Sequence, residues 1–236
     1  MVSIKGSTAL VTGGQRGLGK AFVNELLARG ATKVYATARN PKGGDDPRIV
    51  PVALDVTDST SVAALADLAG DVSIVINNAG VGGIGPLLST DIEEMRTTFE
   101  TNLFGAIRVA QALAPTLQRN GGGALVDIHS ALSWIAGAGA YGASKAAFWS
   151  ATNSLRLELA PQDTLVVGVH LGYADTDLTA GVTAPKLDPR EVANAVADGI
   201  ELGSTEVLVD DASRHFKQAV AGPVEGLSLT ARASEH

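Results

Sequence analysis

Cysteine is absent from the 236-residue chain, which excludes disulfides, thiolate nucleophiles and cysteine-ligated zinc. Cations are in short supply too: 18 Lys and Arg stand against 25 Asp and Glu, for a net charge of -7. Without a cationic surplus to neutralise phosphates the chain is not a general nucleic-acid binder. A local basic pocket for one phosphorylated small molecule remains open. No apolar run approaches the ~20 residues of a membrane-spanning helix. The N-terminal M-V-S-I-K-G-S-T-A-L-V-T-G-G enters a strand-like segment without the charged-then-apolar pattern of a secretion signal. The expectation is a soluble, cytoplasmic protein with no membrane partner.

Apolar residues, at 45%, are plentiful enough for a sizeable core, and the length suits one larger α/β domain over two small ones. Apolar runs alternate with amphipathic stretches. T-A-L-V-T (8–12), K-V-Y-A-T-A (33–38), I-V-P-V-A-L-D (49–55), V-S-I-V-I-N-N-A-G (72–80), G-A-L-V-D-I-H-S (123–130), L-V-V-G-V-H (165–170) and T-E-V-L-V (205–209) read as buried strands, the fourth running into a turn. Helical patterns fill the intervals: one through Leu18, Phe22, Leu26 and Leu27 that stops at Gly30, then 58–68, 91–118, 141–160, 192–200 and a short one after Val209. The last dozen residues carry little pattern. This β-α-β alternation predicts an α/β fold: a single-domain, doubly wound parallel sheet of the Rossmann type with helices on both faces. A cofactor half would cover about 1–120 and a catalytic and substrate half about 121–236. Right-handed crossovers place the loops after the strands along one ligand-binding edge.

V-T-G-G-Q-R-G-L-G (11–19) lies between a predicted strand and a predicted helix. Glycines there allow a tight turn and close approach to a pyrophosphate, and the helix start offers free N–H groups. Its spacing is T-G-x-x-x-G-x-G, one residue longer at the front than G-x-G-x-x-G. A site for NAD carries an acid at the end of the second strand, for the ribose 2′-hydroxyl. Here Ala36, Thr37 and Ala38 lead to Arg39, and Arg16 sits inside the glycine loop. Two arginines without an acid favour NADPH over NADH.

Tyr141 and Lys145, at i and i+4, share a helix face. A free phenol near pKa ~10 is a poor acid–base catalyst at neutral pH, and a neighbouring ammonium favours its ionised form. Ser130, at the end of the preceding predicted strand, is placed to donate to a substrate carbonyl.

T-G-G-Q-R-G-L-G (12–19), N-N-A-G (77–80), Asn102, Ser130 and Y-G-A-S-K (141–145), in this order and spacing, resemble the short-chain dehydrogenase/reductase family. The resemblance covers about residues 5–180. It implies reversible hydride transfer between NAD(P)H and a carbonyl or alcohol. Tyr141 would be the general acid in reduction; Lys145 would lower its pKa and hold ribose, Ser130 would position the carbonyl, and Asn102 would support a water-linked proton relay. The cofactor would meet Gly13, Gln15, Arg16, Gly17, Leu18, Gly19 and Arg39, then Asp55 and Val56 near the adenine. Asn78, Ala79 and Gly80 would line its ribose, and Gly172 and Thr176 its nicotinamide side. Homodimers or homotetramers are common in the family.

The chain departs from the family pattern in three places. Leu171-Gly172 replaces the usual Pro-Gly, and the short stretch from Ser130 to Tyr141 makes Ser133 a rival for the serine role. The C-terminal segment lacks a Gly-rich ending. Trp134 and Tyr173 lie in the two loops beside the reacting carbon and are expected to line an apolar substrate pocket, with aryl ketones admitted. The segment 173–188 is short for a lid, which would leave the site open. His129 is expected to point away from Ser130 by strand alternation. Trp149 is expected to be packing, at a subunit interface if the family's helix pairing holds. His170 and His215 have no partners at metal-ligand spacing, so no metal site is expected. A non-catalytic NADP(H)-binding sensor or scaffold of the same fold is the alternative reading, with an epimerase or dehalogenase relative third.

Overall fold

The computed structural model describes residues 1–228. Seven strands form one fully parallel sheet: β1 (Thr8–Val11), β2 (Lys33–Ala38), β3 (Ile49–Ala53), β4 (Ile74–Asn77), β5 (Gly123–Ile128), β6 (Thr164–His170) and β7 (Glu206–Leu208), in the order β3-β2-β1-β4-β5-β6-β7. The chain builds outward from β1 through β3 and returns to β4 on the other side. The switch point therefore falls between β1 and β4, and a crevice opens above their C-terminal ends.

Alternation along each strand feeds two cores. Ala9, Val11, Val34, Ile74, Ile76, Val126 and Val167 meet α1 (Gly17–Ala28) and α6 (Pro189–Leu202) through Phe22, Leu26, Val196 and Ile200. Leu10, Tyr35, Val75, Leu125 and Val166 meet α2 (Ser59–Leu68) and α4 (Ala106–Arg119) through Leu65, Val109, Leu113 and Leu117. Each such Val, Leu, Ile or Phe side chain, fully buried, contributes roughly 1.5–3 kcal/mol.

The helix expected over 91–118 is one run from α3 (Ile92–Phe99) through a π-helical turn (Glu100–Gly105) into α4. Gly105 allows the turn to seat on Val56, since a Cβ there would lie 2.7 Å from the valine methyl. The helix expected over 192–200 is longer because Asp188 caps it, accepting from the Arg190 amide, with Pro189 in the first turn and Gly203 left-handed at its end. α5 (Gly139–Leu159) carries the Tyr-Lys pair, and α7 (Asp211–Ala219) packs beside the loop that follows β5. Residues 229–236, most of the patternless C-terminal stretch, lie outside the described residues. No described helix is long and apolar enough to cross a membrane.

Candidate active site

The glycine loop is built from close approaches that no side chain permits. Gly13 has φ +63° and Gly17 φ +50°, and a Cβ on Gly19 would fall 2.1 Å from the Gly13 carbonyl oxygen. The Gly13 amide donates to Thr37 Oγ1 at 3.3 Å and the Gly14 amide to the Thr37 carbonyl at 2.9 Å. Thr12 Oγ1 accepts from the amides of Asn78 and Ala79, both at 2.9 Å, and Asn78 Nδ2 donates to the Thr12 carbonyl at 2.8 Å. Thr12 and Thr37 thus lock the ends of β1, β2 and β4 together, a role the motif spacing does not reveal. The first-turn amides of α1, at Leu18 and Gly19, have no partner among the described residues.

At the end of β2, Arg39 is exposed, as is Arg16, and neither makes a side-chain hydrogen bond or ion pair among the described residues. Asp55 Oδ1 accepts from the Thr57 amide and hydroxyl, at 2.9 and 2.7 Å, and those bonds hold its carboxyl below the ordinary range. Val56 is buried beneath the π-helical turn. Gln15 is engaged differently from the expectation: its amide pairs with the Lys42 backbone, donating to the carbonyl at 2.9 Å and accepting from the amide at 2.8 Å. It pins the 41–44 turn against the glycine loop.

Asn102 is fully buried in the π-helical turn. Its Oδ1 accepts from the Val81 amide at 2.8 Å, while Nδ2 donates to the Val81 carbonyl at 3.0 Å and to Ser144 Oγ at 3.1 Å. Ser144 in turn donates to the Tyr141 carbonyl at 2.7 Å. The Asn102 side chain is therefore a brace between the segment after Gly80 and α5.

Ser130 lies two residues beyond β5 in an extended conformation, and its Oγ accepts from the Leu132 amide at 3.1 Å, which turns the hydroxyl hydrogen outward. Burial raises the Tyr141 phenol above its ordinary pKa, and the neighbouring Ser130 hydroxyl pulls it back. The phenol is neutral at pH 7 and holds a proton to give. Lys145 is buried, and burial lowers its ammonium from 10.5 to about 8 against the raising effect of Asp127. Its Nζ donates to the Ile128 carbonyl at 2.7 Å. Ser133, the rival serine, is buried with an unpartnered hydroxyl.

The structure departs from the expectations in the flanking loops. Trp134 is only 6% exposed, stacked on His170 with ring centroids 4.0 Å apart. It packs behind the loop and offers a substrate little surface. The Gly172 amide donates to Asp210 Oδ2 at 3.0 Å, which ties this residue to the start of α7. Tyr173 is half-buried and close enough to Tyr141 to act on its charge. Thr176 faces the glycine loop, its methyl 3.2 Å from where a Gly17 Cβ would be, and Leu178 sits 2.8 Å from a Gly82 Cβ position. Short as it is, the 173–188 segment straps across from the glycine loop to the segment after Gly80. Trp149 meets Trp134 edge to face at 5.7 Å. His129 follows Asp127 to the α5 face, against Phe148, and burial holds it well below the ordinary histidine pKa. No cluster of three or more metal-ligating side chains occurs among the described residues.

These residues fit a phosphorylated dinucleotide: a cradle closed to side chains, helix-start amides without a partner among the described residues, two exposed arginines and no acid at the end of β2. The model of the short chain dehydrogenase family matches residues 7–187. A short chain dehydrogenase from Burkholderia cenocepacia, solved in complex with NADP, superposes with a TM-score of 0.90 at 38% identity, covering 98% of both chains. The 3-oxoacyl-[acyl-carrier-protein] reductase FabG of Vibrio cholerae is 34% identical over 223 residues, 83% of this chain and 90% of its own. The ketoacyl reductase HetN of a Nostoc species is 31% identical over 232 residues, 89% and 80% of the two chains. The glycine cradle, the buried asparagine and the Ser-Tyr-Lys group thus stand in a chain that belongs to the short-chain dehydrogenase family of oxidoreductases.

Proposed function

We propose that this protein reduces a fairly apolar ketone to a secondary alcohol with NADPH, Tyr141 acting as general acid. The carrying observation is the Tyr141 phenol, kept neutral by burial and flanked by Ser130, standing on the same sheet edge as the glycine cradle. Arg16 and Arg39 would hold the 2′-phosphate, and the amides of Leu18 and Gly19 the pyrophosphate. The NADP complex of the Burkholderia relative supports that choice, as does the NADPH-bound carbonyl reductase from chicken fatty liver, 26% identical with a TM-score of 0.76 over 83% of this chain and 91% of its own. When bound, NADPH supplies the hydride.

The side chains do the rest. Ser130 donates to the carbonyl oxygen and fixes its orientation. Tyr141 gives its proton to that oxygen as negative charge develops there. The Ser130 hydroxyl and the Lys145 ammonium then stabilise the phenolate until it is reprotonated. Asn102 and Ser144 hold the start of α5 at a fixed distance from the segment after Gly80.

An apolar substrate follows from the mouth. Leu178 packs on Gly82, and Gly139, two residues before Tyr141, lies against Gly85. Between them Ile84 is half exposed, and so is Leu178. Exposed Ile92 and Phe104 form an apolar groove with Met95 and Phe99 that a second copy of the chain would cover. We therefore propose a homo-oligomer, measured by light scattering on the purified protein.

The test is nicotinamide absorbance decay with NADPH and NADH in parallel, against aryl and aliphatic ketones and a 3-oxoacyl thioester. Tyr141→Phe should lower kcat by about 10²–10⁴-fold, the range of general acid catalysis, with NADPH affinity within about twofold. NADPH binding without turnover on any ketone would turn the reading to the sensor. Unimpaired turnover in Tyr141→Phe would overturn the proton assignment.

A further inference from the structure

Behind the Ser-Tyr-Lys group lies a closed ring of side chains that the proposed reaction does not use. His170, at the end of β6, is fully buried. Its Nδ1 lies 3.3 Å from the Ser130 carbonyl oxygen. One face of the imidazole stacks on Trp134 at 4.0 Å with the rings 22° apart. Lys217 of α7 stands over both tryptophans, 5.3 Å from the Trp134 centroid and 4.9 Å from that of Trp149. It also bonds Glu206 of β7 at 2.7 Å. Glu206 closes the ring, its Oε1 3.9 Å from His170 Nε2.

The chemistry of the acceptor sets the tautomer. A carbonyl oxygen only accepts, so the 3.3 Å contact is a hydrogen bond only when Nδ1 carries the hydrogen. Nε2 is then a bare lone pair. It has no hydrogen-bond partner among the described residues, and Lys217 neutralises the nearby Glu206 carboxylate, so the lone pair does not face an uncompensated charge. Burial keeps the imidazole neutral by lowering its pKa to about 3. This donor is therefore present at every pH at which the protein would work.

The Ser130 carbonyl accepts a second bond, from the Ser133 amide at 3.0 Å. Together the two bonds fix the peptide plane on the C-terminal side of Ser130, and with it the direction in which Oγ leaves the chain toward Tyr141. We propose that His170 is a positioning residue for Ser130, with its Nδ1–H aiming the serine hydroxyl at the substrate carbonyl and the Trp134–Lys217–Glu206 ring fixing the imidazole. The inference rests on the reading of Ser130 as the carbonyl-orienting group, and the experiment separates the two.

His170→Phe keeps an aromatic ring for Trp134 and removes the donor. His170→Asn keeps a donor near the Nδ1 position and removes the ring. Both are compared with Ser130→Ala for kcat, KM and NADPH affinity. The chain holds only two tryptophans, Trp134 and Trp149, both in this cluster, so intrinsic emission reports the packing of the ring directly. His170→Phe should lower kcat about tenfold, the scale of a reacting group displaced by a fraction of an ångström, with cofactor affinity and tryptophan emission near wild type. His170→Asn should recover kcat to within about threefold despite its altered emission. Wild-type kcat in His170→Phe overturns the proposal, and so does an equal loss in both variants, which would follow packing and not the donor. Full activity in Ser130→Ala would instead defeat the reading of the site itself.

Discussion

Replacing Asp127 by asparagine is expected to stabilise the protein by an amount that grows with pH. Asp127 lies on β5 with no exposure, where strand alternation turns it toward α5. Its carboxylate accepts from Asn77 Nδ2 at 3.0 Å and Thr152 Oγ1 at 2.7 Å. Burial pushes its pKa from 3.8 to about 6, against the pull of Asn77, Thr152 and Lys145. A carboxyl whose folded pKa is raised is destabilising when ionised. That penalty is absent below the unfolded value, grows as pH rises between the two, and is complete above the folded value. At 1.36 kcal/mol per pKa unit the full penalty is about 3 kcal/mol, of which about 2 kcal/mol develops between roughly pH 4.5 and pH 6.5. This window lies below the Lys145 titration at about 8. Asparagine keeps the shape and the acceptor for Asn77 while altering the bond with Thr152, a change that does not depend on pH. Urea denaturation of both proteins at the two pH values isolates the carboxyl: the advantage of Asp127→Asn over wild type should rise by about 2 kcal/mol. A difference that stays flat would refute the claim that Asp127 is buried and ionised at neutral pH. The same charge raises the pKa of Lys145, so in Asp127→Asn the alkaline limb governed by Lys145 should move from about 8 to lower pH.

Two further outcomes concern the dinucleotide. Arg16→Ala and Arg39→Ala should each weaken NADPH binding about tenfold or more and leave NADH binding unchanged, since each removes a charge-assisted bond of roughly 1.5–3 kcal/mol from the 2′-phosphate alone; fluorescence titration with both nucleotides reads this. Gly19→Ala should abolish binding of either nucleotide, because its Cβ would overlap the Gly13 carbonyl oxygen at 2.1 Å, while Gly43→Ala, with nothing within 4 Å of its Cβ, should bind as wild type in the same titration.

The seven strands and the helices between them were legible because their signals are local: short apolar runs such as K-V-Y-A-T-A declare strands buried on both faces, and stripes such as Phe22, Leu26 and Leu27 declare the buried face of a helix. The π-helical turn at Asn102 was not, since its cause is a distant close contact, Gly105 on Val56. Nor was the side-chain amide of Gln15. In the sequence it belongs to a cofactor loop, and only the fold shows that the turn at Lys42 comes close enough to bind it. Thr12 and Ser144 left a faint trace as the polar residues inside T-G-G-Q-R-G and Y-G-A-S-K. The bonds that join Thr12 to Asn78 and Ser144 to Asn102 reach 66 and 42 residues along the chain, beyond the reach of any spacing rule.

Trp134 shows where inference from proximity ends. Lying a few residues after Ser130, it was expected to face the substrate, as Tyr173 was from the other loop. Between Ser130 and Trp134 the chain makes a 3₁₀ turn, Ala131–Ser133, in which neither strand alternation nor helical periodicity applies. The side chain's direction is decided instead by what waits on each side. On one side is solvent; on the other are the flat imidazole of His170, the edge of Trp149 and the Lys217 ammonium. A large aromatic gains more from the second, through area removed from water and a cation held over its face. With Trp134 withdrawn, Tyr173 is the aromatic left beside Tyr141, and Ile84 and Leu178 at the mouth are aliphatic and adaptable. Such a wall rewards apolar area more than a fixed ring plane, so preference across a ketone series should follow side-chain size and hydrophobicity. A sharp preference for aryl over equally apolar alkyl ketones would contradict that account of the wall.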